Sequence, residues 1–409
     1  MKQNHAPGRT ILAEGRVVVG IDIGKRKQAA TAVSPQGEVL ARLASFPNTR
    51  EGIDLLEREV LQKVGGPRKI LIAMEATGHY WMCLYHELVR RGYQGVVLNP
   101  VQTNARLGAR IRKTSTDPID SLGIARFILT GDAKATRVPD EKTAELRLLV
   151  RHRRRLIQAR TDMERYAHTL IDRVFPEYAE IFSSPFLSST RAMVREFGIA
   201  PENIASHHDE VRDTLRRTSR QRIAQEKVDL LLEKAQASIG SRQAESLAGE
   251  QLRDLFDYTE TIERQVAQIE EKLERRMDER DSPLLSLGIG PALAATIHAE
   301  SDPIHDFHDP DQYVAYAGLD PSVRESGDSI RRRSKISKRG SPTLRSALYL
   351  AAFSVYRKHD CFHRCYQKHR RKGHGHTDAL VVVAHHLARV VWRLLTDNRK
   401  FTKRPPKRR

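Results

Sequence analysis

Four acidic residues in the N-terminal third are spaced in a way that suits metal-dependent chemistry. Asp22 lies at the end of one apolar run, residues 17–23, and Glu75 directly follows another, residues 69–74. Asp117 and Asp120 are three residues apart, which places them on one side of a helix. Carboxylates that converge repel one another unless divalent cations neutralise them, and oxygen-only ligands suit Mg²⁺ or Mn²⁺. We therefore predict a Mg²⁺ or Mn²⁺ site formed by Asp22, Glu75, Asp117 and Asp120, although strand-end and helix-start acids also serve as caps.

The elements that must position these acids are those of an α/β domain over residues 15–131. Apolar and β-branched runs predict strands at 17–23, 27–33, 38–44, 69–74 and 95–98. Helical periodicity and Gly or Pro stops predict helices at 50–64, 79–91 and 115–129. Three consecutive strands followed by alternating helix and strand indicate a five-stranded mixed sheet.

The middle of the chain, residues 141–282, is predicted to be helical. Residues 141–178 and 252–277 carry apolar side chains at near-heptad spacing, which is typical of coiled-coil pairing. Such heptads allow either a dimer or an intramolecular hairpin. Residues 183–218 are rich in Ser and contain Pro185 and Pro201, so we expect an irregular insert or a small helical module there.

The net positive charge is confined to the C-terminal fifth of the chain. The chain has 70 Lys and Arg against 51 Asp and Glu, and residues 331–409 account for 23 of the bases and three of the acids. This excess predicts a basic domain over residues 283–397, with a basic tail at 398–409, that binds nucleic acid. Three cysteines argue against a disulfide framework, and the longest apolar runs are too short for a bilayer span, so we expect a cytoplasmic, nucleoid-associated protein.

A Gly-x-Gly turn begins this basic domain. Gly288 and Gly290 precede a predicted helix at 292–300, and the exposed N–H groups of such a turn suit a phosphate. The turn is similar to the helix-hairpin-helix element of DNA-binding proteins. A plain helix–helix turn that needs glycine for its backbone angles explains the pattern as well.

Five motifs together resemble one known family. They are GIDIGK at 20–25, AMEATGHY at 73–80, KTSTDPID at 113–120, YAGLDPSVRESG at 316–327 and ISKRGSPTLRSALYLAA at 336–352. Their order and spacing are similar to those of the DEDD-type insertion-sequence transposases, which are related to the pilin-gene invertases. The resemblance implies an RNase H-like (RuvC-like) N-terminal domain, a coiled coil and a mostly helical C-terminal transposase domain. It also implies homo-oligomeric recombination of donor and target DNA, directed in characterised members by a structured bridge RNA.

The same resemblance implies that Ser326 is the nucleophile. A serine hydroxyl needs activation, which a metal held by the acid quartet could supply. A covalent phosphoserine keeps the phosphodiester bond energy, so strands can be rejoined. Basic residues around the serine suit phosphate positioning, namely Arg324, Arg331, Arg332, Arg333, Lys335, Lys338 and Arg339. A second basic cluster on the first long helix could hold RNA or DNA or could be a solvated helix face; it consists of Arg151, Arg153, Arg154 and Arg155.

Other interpretations of the sequence remain open. A RuvC-like two-metal nuclease would leave Ser326 with a structural role as a turn residue, and a non-catalytic nucleic-acid-binding protein would not need the acid quartet. The His and Cys residues of 359–376 match no common zinc-finger spacing and favour a basic helical surface. Tyr80 lacks the Arg-His-Arg set that a tyrosine recombinase would require.

Overall fold

The computed structural model describes residues 11–100, 102–103, 117–136, 138–321, 336–338 and 340–402, excluding the side chains of 117–119. The chain divides into two compact units. The first contains residues 1–141 and 301–316, and the second contains residues 142–300 and 317–409.

A mixed sheet forms the centre of the first unit. Its strands are β1 (Val17–Ile23), β2 (Lys27–Val33), β3 (Val39–Pro47), β4 (Ile70–Glu75), β5 (Gln94–Leu98) and β6 (Ala135–Thr136), in the order β3-β2-β1-β4-β5-β6. β1 pairs antiparallel with β2 and parallel with β4, and β4 pairs parallel with β5. The sheet thus has six strands where five were predicted, because two-residue β6 adds to the edge of β5.

Helices cover both faces of this sheet. α1 (Arg50–Leu56) continues as a π-helical turn, Glu57–Leu61, and a 3₁₀ turn, Gln62–Val64, where one regular helix was predicted. These turns and α2 (Trp81–Arg90) share a core with alternate residues of β1 and β4, such as Ile21 and Ile72. α3 (Asp117–Leu129) covers the other face, where Ile124 and Ile128 pack on Val18 and Leu71. Successive side chains of a strand point to opposite faces, and both faces of this sheet are covered, so the strand sequences are apolar without interruption.

Two long helices organise the second unit. They are α4 (Glu141–Val174) and α10 (Glu245–Glu279), and Arg276 pairs with Glu145 while the Tyr166 hydroxyl donates to Gln251 Oε1 at 3.1 Å. These contacts make α4 and α10 an antiparallel pair within one chain. Between them lie five shorter helices: α5 (Tyr178–Ile181), α6 (Ser188–Phe197), α7 (Pro201–Ser206), α8 (His208–Thr218) and α9 (Gln225–Gln236). The insert at 183–218 is therefore helical and not irregular, and it shares one core with the adjoining ends of α4 and α10.

The C-terminal part contains α11 (Pro291–Ser301), α12 (Pro310–Ala317), α13 (Pro342–Lys358), α14 (Asp360–Arg371) and α15 (His376–Thr396). Its core includes Leu348 and Val355 of α13, Phe362 of α14 and Leu387 of α15. Within the described residues, α15 is the one helix long and apolar enough to cross a membrane. Half of its apolar window is buried inside the protein.

Candidate active site

Asp22 and Glu75 end two neighbouring parallel strands. β1 and β4 pair with Ile21 opposite Met74, so the next residue of each strand is one of the two acids. Ile21 and Met74 are buried in the core on the side of α1 and α2. Because successive side chains of a strand alternate between faces, Asp22 and Glu75 are directed to the opposite face, which α3 covers.

α3 approaches this face unusually closely, and Gly20 makes the approach possible. A Cβ atom on Gly20 would lie 2.1 Å from the backbone oxygen of Ser121 and 2.6 Å from the backbone nitrogen of Ala125. The buried hydroxyls of Thr31 on β2 and Ser121 on α3 are hydrogen-bonded at 2.8 Å. These contacts fix the first turns of α3, which carry Asp120, against the strands that carry Asp22.

The Glu75 carboxylate is held in place by two threonines. Thr103 Oγ1 donates to Glu75 Oε2 at 2.6 Å, and Thr77 Oγ1 donates to Oε1 at 3.3 Å. Thr103 is 1% exposed, and its hydroxyl oxygen also lies 3.0 Å from the Pro100 carbonyl oxygen, a second acceptor for the same proton. Sequence analysis missed this orienting role of Thr103, because a single threonine after a strand carries no signal of its partner.

The carboxylates offer the chemistry that Mg²⁺ or Mn²⁺ prefers, namely hard oxygen donors that are partly exposed. Among the side chains that the structure describes, no three His, Cys, Asp or Glu residues come close enough to hold an ion. Asp117 begins α3, but its side chain lies outside the described set. The structure thus directs Asp22 and Glu75 to the sheet face that α3, the helix of Asp120, covers, while the four-ligand metal site stays a prediction.

Ser326 lies outside the described residues, as do Arg324, Arg331, Arg332, Arg333, Lys335 and Arg339. The two ends of that segment are described, and they meet. Pro321 and Ile336 form an antiparallel bridge, and the Ser337 N–H donates to the Asp320 carbonyl at 2.8 Å. The Lys338 N–H donates a hydrogen bond to the Gly318 carbonyl at 3.2 Å. The segment that contains Ser326 therefore begins and ends at one point of the second unit.

The arginine cluster of α4 has clear structural roles. Arg151 makes a two-pronged contact with Glu300, with Nε to Oε1 at 2.8 Å and Nη2 to Oε2 at 3.2 Å, and the Glu300 side chain is 5% exposed. Arg153 Nε donates to Glu270 Oε1 at 2.8 Å, and Arg154 contacts the Thr343 hydroxyl. Arg155 is exposed and has no partner among the residues that the structure describes. Phosphate binding by this cluster stays a prediction, and Arg155 is the member best placed for it.

The Gly-x-Gly turn connects a 3₁₀ turn, Pro283–Leu287, to α11. Gly288 adopts a left-handed conformation, φ +66°, and its carbonyl accepts a hydrogen bond from Lys358. The backbone angle alone accounts for Gly288, as in a plain turn. Gly290 has a normal φ and open space where a Cβ would lie, and its carbonyl accepts from the Leu293 N–H at 3.0 Å. A phosphate contact at this turn stays a prediction, to which the ammonium group of Lys358 adds positive charge.

The His and Cys residues of 359–376 lie on and around α14. His359 contacts the Leu287 carbonyl at 2.9 Å, and the Tyr366 hydroxyl contacts His376 Nδ1 at 2.7 Å. No zinc-like group of three occurs in the described part of the chain. Residues 360–371 form one helix with four basic side chains in its last turn, Lys368, His369, Arg370 and Arg371.

Comparison with known proteins identifies the class. A family model described as a transposase, of the DEDD type found in IS110 elements, matches residues 19–176. A second, described as a transposase of the IS116/IS110/IS902 family, matches residues 285–367. The chain belongs to this family of DEDD insertion-sequence transposases, and it is a DNA transposase or recombinase. The α/β sheet with a largely helical remainder is consistent with an RNase H-like DEDD domain.

Individual relatives agree with this assignment. The chain is 27% identical to the 44.8 kDa protein of insertion element IS116 from Streptomyces clavuligerus, over 96% of this chain and 97% of that protein. It is 19% identical to the pilin gene-inverting protein of Moraxella bovis, over 95% of this chain and 98% of that protein. A probable family 20 transposase of Pseudomonas aeruginosa is 34% identical over 36% of this chain and 45% of its own length. Transposases of the DEDD type generally use divalent metals.

Proposed function

We propose that this transposase cuts and rejoins DNA through Ser326, with Mg²⁺ or Mn²⁺ held by Asp22, Glu75, Asp117 and Asp120. The observation that carries the proposal is the shared face of the sheet, where Asp22 and Glu75 end adjacent parallel strands and α3 brings Asp120 to the same side. When bound there, a divalent cation would stabilise charge on the phosphate and on the serine oxygen.

The protein's own residues account for the remaining chemistry. Ser326 Oγ loses its proton and attacks phosphorus, so the Oγ–P bond forms while the bond to the leaving DNA oxygen breaks and that oxygen takes a proton. A hydroxyl of a new strand reverses the exchange. Thr103 orients Glu75 through its 2.6 Å hydrogen bond. The Moraxella bovis relative is named for inverting a pilin gene, and an inversion must rejoin the strands that it cuts, as the proposed exchange does.

The test is a covalent adduct. Wild-type protein incubated with its element-end DNA and Mg²⁺ should give a protein–DNA species that survives denaturing electrophoresis. Ser326→Ala should abolish it, whereas Ser329→Ala, a serine of the same segment, should retain it. Asp22→Asn should abolish strand cleavage together with the adduct. An adduct that persists in Ser326→Ala would show that another residue is the nucleophile.

A second candidate is a two-metal nuclease without a covalent intermediate. It is favoured by one observation, namely that Asp22, Glu75 and the helix of Asp120 all belong to the first unit, so metal-dependent hydrolysis there would need no residue of the second unit. It predicts nicked DNA, loss of nicking in Asp22→Asn, full nicking in Ser326→Ala and no adduct. The same reactions therefore separate the two candidates.

We further propose a structured guide RNA and assembly of several copies, as the family resemblance implies. The net charge of +20 on residues 331–409 supports a polyanionic partner without specifying it. Sequencing the RNA that co-purifies with the protein tests the guide. A discrete structured species is expected, and a heterogeneous mixture would contradict it.

A further inference from the structure

Four aromatic rings meet on α13, α14 and α15 of the C-terminal part. Phe353 and Tyr356 belong to α13, Tyr366 to α14, and His376 begins α15. The ring centroids are 5.9 Å apart for Phe353 and Tyr356, 4.7 Å for Tyr356 and Tyr366, 5.7 Å for Tyr366 and His376, and 6.2 Å for His376 and Phe353. We call these four rings the ring cluster. Each of the four rings contacts two of the others, so the contacts form a closed ring that holds each side chain in place.

The ring cluster borders an apolar surface that is open to solvent. Leu350 is 56% exposed and Phe353 is 38% exposed, one turn apart on α13. The opposite side of α13 buries Leu348 and Val355 in the core, so these exposed apolar groups are not needed to hold the helix. Exposed aliphatic and aromatic groups that adjoin one another mark binding surfaces more often than scattered ones do.

A guanidinium group lies directly on this surface. The Cζ atom of Arg357 is 4.1 Å from the centroid of the Phe353 ring and 5.5 Å from that of Tyr356. Arg357 Nε also donates to the Tyr356 hydroxyl at 3.1 Å. The plane of a guanidinium group and an aromatic ring are the two side-chain surfaces on which nucleobases stack.

The surrounding charge selects the ligand. The α13 sequence, residues 342–358, contains no Asp or Glu, and residues 331–409 contain three acids against 23 bases. A purely apolar protein partner would gain nothing from this charge, whereas a polynucleotide offers both phosphates for the cations and faces for the rings. We propose that the ring cluster and Arg357 bind unpaired DNA bases by stacking.

DNA is the ligand that the enzyme's class supplies, and strand exchange must expose bases that are paired before and after it. The site lies wholly within the second unit and contains none of the residues assigned to the chemistry. The proposal goes beyond the recombination mechanism and does not depend on Ser326.

Full-length protein is titrated into a fluorescently labelled single-stranded oligodeoxynucleotide in EDTA, with anisotropy as the readout and salt as a variable. Phe353→Ala should weaken binding about 5- to 150-fold, which is the range for the loss of one stacked base. Because no charge is removed, the slope of log K against log salt should not change. Arg357→Gln should weaken binding and also reduce the slope by about 0.7, the value for one phosphate contact on a single strand.

Two controls make the result specific. Phe353→Trp keeps a stacking ring and should retain the affinity. Tyr258→Ala removes an aromatic side chain that is 59% exposed on α10 beside the acidic Asp257, and should have no effect. A duplex of the same sequence should be insensitive to Phe353→Ala, since its bases are already stacked.

Equal losses in Phe353→Ala and Tyr258→Ala, or no loss in either, would overturn the proposal. An RNA of the same sequence whose binding depends on Phe353, while DNA binding does not, would overturn DNA as the ligand. EDTA keeps strand cleavage out of the measurement, so failure here is distinct from failure of the serine mechanism.

Discussion

Gly20 determines how closely the helix of Asp120 can approach the strands of Asp22 and Glu75. The α3 backbone occupies the space that any side chain at Gly20 would need. A larger residue must therefore push α3 away from the sheet or twist the strand. Either change moves one carboxylate relative to the others, so stability and activity are coupled at this position.

Gly20→Ala should destabilise the protein by about 3 kcal/mol, because its Cβ meets backbone atoms that cannot rotate away. Urea unfolding monitored by circular dichroism measures this loss. Gly249→Ala is the matched control, since its Cβ would meet nothing within 4 Å in the second turn of α10. That variant should gain about 0.5–1 kcal/mol from better helix propensity. Equal melting of wild type and Gly20→Ala would contradict the close approach.

Arg151→Ala should cost about 1–3 kcal/mol, since it leaves the buried Glu300 carboxylate without its guanidinium partner while the arginine itself is 55% exposed. Arg155→Ala, on the next turn of the same helix, should change stability by less than about 0.5 kcal/mol. The two unfolding curves distinguish a structural arginine from a free one. If both variants melt alike, the 2.8 Å contact to Glu300 does not contribute to the fold.

Sequence alone could not separate these two arginines. Both belong to one basic run, and the carboxylate that distinguishes them is 149 residues away along the chain from Arg151. The acids of the first unit were predictable for the opposite reason. Asp22 and Glu75 each end a local apolar run, and adjacent parallel strands bring their ends together.

At the scale of elements, the strands that carry the site were predictable because they are uninterrupted apolar runs with clear stops. β1 and β2 have the predicted bounds, 17–23 and 27–33. β6 was missed because two residues, Ala135 and Thr136, show no periodicity. The π turn at 57–61 was missed for a similar reason, since a helical spacing of apolar residues does not reveal a single wide turn. Heptads predicted the long helices, but only contacts such as Arg276–Glu145 show the intramolecular pairing.

The packing of α15 on α14 predicts sensitivity to acid. Burial lowers the pKa of His386, and nearby His385, Arg389 and Lys368 lower it further; burial also lowers the pKa of His369. Below about pH 6.5 these histidines therefore bind protons in the unfolded chain but stay neutral in the folded chain. The free energy of unfolding is highest above that pH and falls as the pH drops through it.

His386→Gln should reduce this loss. The melting temperature of the wild type should fall between pH 7.5 and 5.5, and the fall should be smaller in His386→Gln. His363→Gln, an exposed position of α14, should follow the wild type. A melting temperature that is constant over this range would contradict the argument.

At the scale of the whole molecule, the net positive charge and the four candidate metal-binding acids lie at opposite ends of the sequence. Residues 331–409 carry 23 bases and three acids, while residues 1–330 are nearly balanced with 47 bases and 48 acids. Salt-dependent attraction of DNA should therefore belong to the C-terminal part. The cleavage chemistry proposed above would depend on carboxylates near the N-terminus.

Removing residues 403–409 deletes five bases and should reduce the slope of log K against log salt for duplex DNA by up to about 4.5. The control replaces five bases in or beside the insert by Gln, namely Arg216, Arg217, Arg220, Arg222 and Lys227, and should change the slope less. Filter binding at several salt concentrations measures both. An equal change in the two proteins would show that total charge, and not its location, governs binding.

The helical insert between α4 and α10 enters and leaves at one place. The Ser241 N–H donates to the Arg173 carbonyl at 2.8 Å, and the chain at Gly240 passes so close to Val174 that a Cβ there would lie 1.8 Å from its carbonyl oxygen. Residues 175–240 are thus a cassette whose two ends already touch. The cassette also buries apolar residues of the two long helices, such as Ile171 of α4 and Leu252 of α10, so a short turn in its place would join the helices but expose this core. A domain exchanged at this junction must therefore have adjacent ends and also an apolar face that covers these residues.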